Sequence, residues 1–353
     1  MSIKMKSNLI VLLLFLSLAQ AAFANQPKNL AVSGQQPNLA IDTKGTIRMV
    51  YGDGEKIYCM TSTDNGANFS KPLLVASLTG MHLGNTRGPQ IASSTTASII
   101  AAMDKDGNIH TYRLEHAKNN WKKAANINDL AKSAPEGLMG LTADRNNNFY
   151  AVWLDLRADK MNNIYFSGLL AKNMKWSKNK LVYRSPEGHT CECCRPNINV
   201  KNNKLVITFR NWLSGSRDIY YSSSTDMGKT FARVAKAGIG TWKLNACPMD
   251  GGGVSIGEDG LVSTAWQRAG EIFYAKGNKI ERSVGFGRSV SLAQNKNNSL
   301  IAWQEKDEIK LTNLDKGTTS IIGKGNHPRI YILGNGKSLC VWENNKTVQH
   351  LLL

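Results

Sequence analysis

Four of the six cysteines fall in two short segments, His189-Thr190-Cys191-Glu192-Cys193-Cys194-Arg195-Pro196 and Asn245-Ala246-Cys247-Pro248-Met249-Asp250. A thiolate is both a nucleophile and a soft metal ligand, so such a group has three chemistries open to it. One is disulfide bonding, with Cys247 joined to Cys191, Cys193 or Cys194. The second is a copper or zinc site, in which His189, and Met249 or His82, would add to the thiolates. The third is a redox-active or ligand-attaching thiol. The spacing is not that of a zinc finger, and the cofactor stays open beyond copper or zinc. Cys59 and Cys340 lie inside apolar runs and are expected to be buried free thiols.

A second set of residues could hold an anion. Arg87, Asp155, Arg157, Arg210, Asn211, Arg217, Asp218, Asp250, Arg268, Arg288 and Arg329 stand just before or just after short apolar segments, and Arg195, Glu305 and Glu343 share that position. Guanidinium forks grip carboxylates with two parallel hydrogen bonds. Asp155-Leu156-Arg157 and Arg210-Asn211 rank first because charge follows directly on an aromatic strand end. Replacing Arg157 or Arg210 by Ala is expected to weaken an anionic ligand and leave folding nearly intact.

These residues are positioned by a repeat. Short first strands open at Pro37, Pro89, Gly137, Pro196, Gly252, Arg288 and Pro328, roughly 36 to 59 residues apart, the length of a four-stranded propeller blade. Turns rich in Asp, Asn, Gly and Lys follow, as antiparallel hairpins require. Second strands end on Tyr51, Met103, Trp153, Phe209, Trp266, Trp303 and Trp342. Third strands carry Ile57, Ile109, Ile164, Ile219 and Ile272, with weaker copies near Ile309 and Val348. The expected fold is an all-β single propeller of four-stranded blades, seven favoured and six the alternative. The segment Asn29–Val32 would supply the missing outer strand of the last blade and close the ring, leaving no exposed edge. Loops entering first strands and leaving second strands then converge on one axial face.

Two segments carry the pattern Ser-x-Asp-x-Gly-x-x-aromatic: Ser62, Asp64, Gly66 and Phe69, and Ser224, Asp226, Gly228 and Phe231. A degenerate copy ends at Trp176. The pattern resembles the Asp box of BNR-repeat, sialidase-like propellers. That resemblance implies a structural hairpin on the face away from the ligand, so Asp64 and Asp226 are not catalytic candidates. It also implies a tyrosine nucleophile and an arginine clamp on a sugar carboxylate. Where sialidases have an Arg-Ile-Pro-like stretch, this chain reads Gln35-Gln36-Pro37-Asn38-Leu39, without arginine. No catalytic residue is therefore assigned. The expectation is a sialidase-like propeller binding an anionic glycan or a metal at its axial face. The alternative is an exo-glycosidase that removes terminal sugars from glycoconjugates.

Lys4 and Lys6, the apolar run Leu9–Leu18 and Ala22-Phe23-Ala24 read as a signal peptide over residues 1–24, with the propeller occupying 25–353. This predicts export to the periplasm or the extracellular space. The apolar run is too short to anchor in a bilayer, and no later segment is long and apolar enough to cross one. The net charge of +18 suits anionic glycan or cell-envelope partners. Its lysines are scattered rather than striped with stacking aromatics, which argues against nucleic acid. A monomer is expected.

Overall fold

The computed structural model describes residues 27–158, 160–277 and 281–353; the signal-peptide reading lies outside them. Among these residues there is no helix, and the strands form seven four-stranded antiparallel sheets. The protein is a seven-bladed β-propeller. Blades 1 to 6 span residues 35–77, 90–124, 139–183, 197–236, 253–286 and 288–324. Blade 7 takes three strands from 326–352, and its outer strand is Lys28–Ser33, which pairs with Thr347–Leu352. The first and last strands of the described chain thus lie side by side and close the ring.

The repeat is legible in what becomes buried. The bulky ends of the second strands (Tyr51, Met103, Trp153, Phe209, Trp266, Trp303, Trp342) are all at most 3% exposed. So are the third-strand residues Ile57, Ile109, Ile164, Ile219, Ile272, Ile309 and Val348. The second-strand indoles of blades 6 and 7 insert toward the outer strand of the preceding blade. Trp303 lies against Gly285 and Gly287 of blade 5, and Trp342 against Gly323 and Gly325 of blade 6. Their indole N–H groups donate to Phe286 O and Lys324 O at 2.8 Å. Core packing therefore runs between blades, and each blade leans on the one before it.

The two Ser-x-Asp-x-Gly-x-x-aromatic segments fold into the same turn. Gly66 N donates to Ser62 Oγ and Gly228 N to Ser224 Oγ, both at 2.9 Å. Asp64 accepts from Asn68 N and Asp226 from Thr230 N. The backbone and side-chain hydrogen bonds from Asn68, with that from Ser62, draw the exposed Asp64 carboxyl down to about 2. Phe69 meets His350 of blade 7 edge-on, and Phe231 meets Phe166 of blade 3 in the same way. Each turn therefore latches its blade to the previous one. Gly66 and Gly228 both have φ near +80°, which only glycine adopts freely. A Cβ on Gly228 would stand 2.3 Å from the Phe166 ring, whereas one on Gly66 would meet only the Leu339 methyl at 2.9 Å. Gly228→Ala is expected to cost about 2–4 kcal/mol from left-handed strain plus overpacking, and Gly66→Ala less. Urea denaturation of both variants checks the order; equal midpoints would refute the latch.

Candidate functional site

Strand direction sorts the loops onto two faces. Loops between first and second strands, and the two Ser-x-Asp turns, lie on one face. Loops between second and third strands, and those leading into each blade, lie on the other. The cysteine segments lead into blades 4 and 5, so they are neighbours on the second face, along with Asp155, Arg157, Arg210 and Arg217.

The cysteines come together. Cys191, Cys193 and Cys194 are buried, with their sulfurs within 4.8 Å of one another. The sulfur separations are 2.9 Å for Cys191–Cys194, 3.6 Å for Cys191–Cys193 and 4.0 Å for Cys193–Cys194. A disulfide needs about 2.05 Å, and all six cysteines are free thiols here. Exposed Cys247 lies 4.0 Å from Glu192 Oε1, near enough to Cys193 for each thiol to influence the other electrostatically. Met249 packs on the trio. Arg217 Nη1 is 3.1 Å from Cys191 Sγ, and the same guanidinium pairs with Glu192 at 3.2 Å and lies over the Trp212 ring. Burial pushes the Cys191 thiol up. Hydrogen bonds from Cys193 and Cys194 and the charges of Arg210 and Arg217 outweigh it, so Cys191 sits well below the usual thiol value. Cys194 is driven the other way, by burial and by Cys191. His189 stacks on Trp212, with its Nδ1 3.0 Å from Thr190 O and 3.8 Å from Glu192 Oε2, and is not one of the grouped ligands. His82 is outside the cluster, with its ring nitrogen on Pro135 O.

Many of the anticipated ligand residues are engaged by the protein itself. Arg210 is 1% exposed and gives its guanidinium to three main-chain carbonyls. Asp155 is fully buried, accepting from Trp153 Nε1, Ser133 Oγ and Arg157, and Arg157 also reaches Asp129. Arg87 pairs with Glu136, Arg268 with Glu281, and Asp218 with Lys236 and Trp242 N. Asn211 donates to Tyr183. Arg288 is exposed.

The axis holds a different arrangement. The seven first strands line a cavity of about 1300 Å³ that extends to the turns joining first to second strands, among them Asp42–Gly45, Asp144–Asn146 and Lys201–Asn203. It therefore opens on the face of the Ser-x-Asp turns, opposite to the expectation. On the other face the axis is nearly filled, with a void of only about 10 Å³. Ser289 and His327 line that void, and with Gln36 they occupy equivalent bulges at the start of the first strands of blades 6, 7 and 1, all with left-handed φ.

Arg195 and Arg329 line both cavities and form the floor between them. Arg195 donates to Gln90 and Asn197. Arg329 has no ion-pair partner among the described residues. Burial and then the Arg329 charge push Arg195 well below the ordinary arginine value. The acidic neighbour of both, Asp250, spends its oxygens on Gly252 N and Ser289 N at 2.8 and 2.7 Å. Burial and the charges of Arg329, Arg288 and Arg195 bring His327 down to about 4. Around the floor, Asn38, Gln90 and Tyr331 form a polar girdle: Asn38 donates to Gln90, while the Tyr331 hydroxyl donates to Asn38 and accepts from Leu39 N. Asn38, Gln90, His327 and Tyr331 are not among the residues the sequence suggested. X-Pro dipeptides at 36–37, 195–196 and 327–328 mark this ring in the sequence.

No protein-family model matches the sequence. No curated protein matches it either. Solved structures do resemble it in fold. Virginiamycin B lyase from Staphylococcus aureus has 12% identity, covers 93% of this chain and 99% of its own, and gives a TM-score of 0.55. An ulvan lyase, a polysaccharide lyase, has 10% identity with coverage of 92% and 95% and a TM-score of 0.57. The NanB sialidase from Streptococcus pneumoniae has 14% identity, coverage of 94% and 68%, and a TM-score of 0.46. At these identities what is shared is the propeller.

Proposed function

We propose that this protein is an exported propeller that binds an acidic sugar, or the acidic end of a glycan, in its axial cavity, with the ligand's anionic group on Arg195 and Arg329. One observation carries the reading: two guanidiniums sit together at a buried floor, and the carboxylate near both is committed to main-chain N–H groups. Like charges in a site of low dielectric are costly, and a guest anion relieves that cost. The girdle of Asn38, Gln90, Asn197 and Tyr331 offers amide and hydroxyl partners suited to sugar hydroxyls. The net charge of +18 favours capture of anions. Binding is favoured over hydrolysis because the Tyr331 hydroxyl gives its proton to an amide, Asn38, rather than to a carboxylate base.

Calorimetric titration with glucuronate, N-acetylneuraminate and a sulfated sugar tests this. Loss of a buried charge-assisted contact costs about 1.5–3 kcal/mol, so Arg329→Ala should weaken binding roughly tenfold to a hundredfold. Added salt should weaken it too. Affinity should also rise as pH falls from about 6.5 toward 4. A bound anion raises the depressed His327 pKa, so the complex takes up a proton in that window. Absence of binding by all three, or binding unchanged in Arg329→Ala, would refute the proposal. Turnover of a fluorogenic sialoside would replace it with the exo-glycosidase.

A further inference from the structure

We propose that Cys191, Cys193 and Cys194 form a binding site for one soft d10 cation, Cu+ or Zn2+, with Cys247 as the fourth ligand available to Zn2+. The site is separate from the axial cavity, since none of these cysteines lines it.

The geometry supports a metal on three counts. First, the three sulfurs already lie close enough together to share one ion. Zinc–sulfur bonds of ~2.3 Å place tetrahedral sulfur ligands ~3.8 Å apart, and the observed separations of 2.9, 3.6 and 4.0 Å bracket that value. Changes of under about 1 Å complete the set. Second, the backbone holds the loop in place. Cys191 N donates to Arg210 O at 3.0 Å, Thr190 N to Asn162 O at 2.8 Å, and Cys194 N closes the turn onto Cys191 O at 3.4 Å. A thiol trio fixed in this way loses little freedom when it binds. Third, the surroundings suit thiolates. Arg217 Nη1 stands 3.1 Å from Cys191 Sγ and offsets part of the negative charge that three thiolates bring to a buried site. The donors are all sulfur, which selects soft cations over Mg2+ or Ca2+.

A route for the ion is also visible. Cys191 and Cys194 are at most 1% exposed and Cys193 is 6% exposed, whereas its neighbour Cys247 is exposed. An arriving ion meets Cys247 first and passes inward to Cys193. Each thiol that is still protonated releases its proton to solvent as it coordinates, so binding is accompanied by net proton release.

The test uses purified, reduced protein titrated anaerobically with Zn2+ against a chromogenic zinc chelator, and with Cu+ against bicinchoninate. One equivalent of either ion per chain, held against the chelator, is expected. Cys191→Ser and Cys194→Ser should each weaken binding a hundredfold or more. Cys59→Ser and Cys340→Ser, buried in strands of blades 1 and 7, should leave it unchanged. Because a buried serine can disturb folding, the exposed Cys247→Ser serves as the second variant: it should weaken Zn2+ at least tenfold and Cu+ little. Co2+ substitution reads the ligands directly, through intense sulfur-to-cobalt absorption in the near ultraviolet. Failure of both ions to bind stoichiometrically overturns the proposal. So does binding indifferent to Cys191→Ser, or a Cys191–Cys194 disulfide in the protein as isolated.

Discussion

Arg210→Ala should lower the stability of the propeller by about 3–5 kcal/mol, among the largest losses any single polar substitution in this chain can give. The side chain is 1% exposed. Its Nε donates to Asp250 O, Nη1 to Arg217 O and Nη2 to Gln267 O, at 2.9, 2.6 and 2.9 Å. Those carbonyls belong to the loop leading into blade 5, the hairpin of blade 4 and the second strand of blade 5, so one guanidinium ties two blades together. Each buried carbonyl left without a donor costs about 1–3 kcal/mol, and water entering the vacated space recovers part of the sum. Arg210→Lys keeps the charge but cannot span three acceptors from one nitrogen, so most of the loss should remain. Urea denaturation measures it. An Ala variant within about 1 kcal/mol of the parent would mean that the three bonds carry no net stability. Against the sequence-based expectation for Arg210, weaker ligand binding on an intact fold, stands a guanidinium whose three nitrogens are each spent on a main-chain carbonyl.

The fold was largely legible because its signals repeat. A bulky residue at the end of each second strand and a β-branched residue in each third strand recur through all seven blades, and burial follows them. Even the weak copies at Ile309 and Val348 become fully buried strand residues. The closing strand could be anticipated because a ring with one open edge is unsatisfied. The cysteine cluster was legible for a similar reason: two loops leading into adjacent blades must be neighbours. The axial site was not. Arg195 and Arg329 stand out from Arg87 or Arg268 only through their partners, and partners are a matter of side-chain reach across blades. Arg87 and Arg268 have carboxylates within reach, Glu136 and Glu281, whereas Arg195 and Arg329 share Asp250, which the backbone has already claimed. At the filled end of the channel stand Ser289 and His327, which, like Gln36, sit in bulges with left-handed φ. Nothing in the types Gln, Ser and His announces a positive φ.

Trp342→Ala should cost about 3–5 kcal/mol, and its coupling to a glycine in the preceding blade is the sharper test. Trp342 is 1% exposed, so truncation leaves an indole-sized cavity and frees Lys324 O from its hydrogen bond. The ring fits only because blade 6 has no side chain where it lies. A Cβ on Gly323 would come within 2.5 Å of the Trp342 ring, and one on Gly325 within 2.6 Å. Gly323 lies in the outer strand Thr318–Lys324, outside the positive-φ residues, so Gly323→Ala meets a steric objection and not a backbone one. In the parent protein that change should cost about 1–3 kcal/mol through overpacking. In the Trp342→Ala background the clash is gone and the added methyl fills part of the cavity, so the same change should cost nothing or stabilise. The double-mutant cycle should therefore show coupling of about 1–3 kcal/mol. Additive effects would mean that the two residues do not press on each other, and that blades 6 and 7 are joined by something other than this ring. The same construction recurs between blades 5 and 6, where Trp303 lies over Gly285. A cycle on Trp303 and Gly285 should give coupling of the same sign, which separates a rule of the repeat from an accident of one interface.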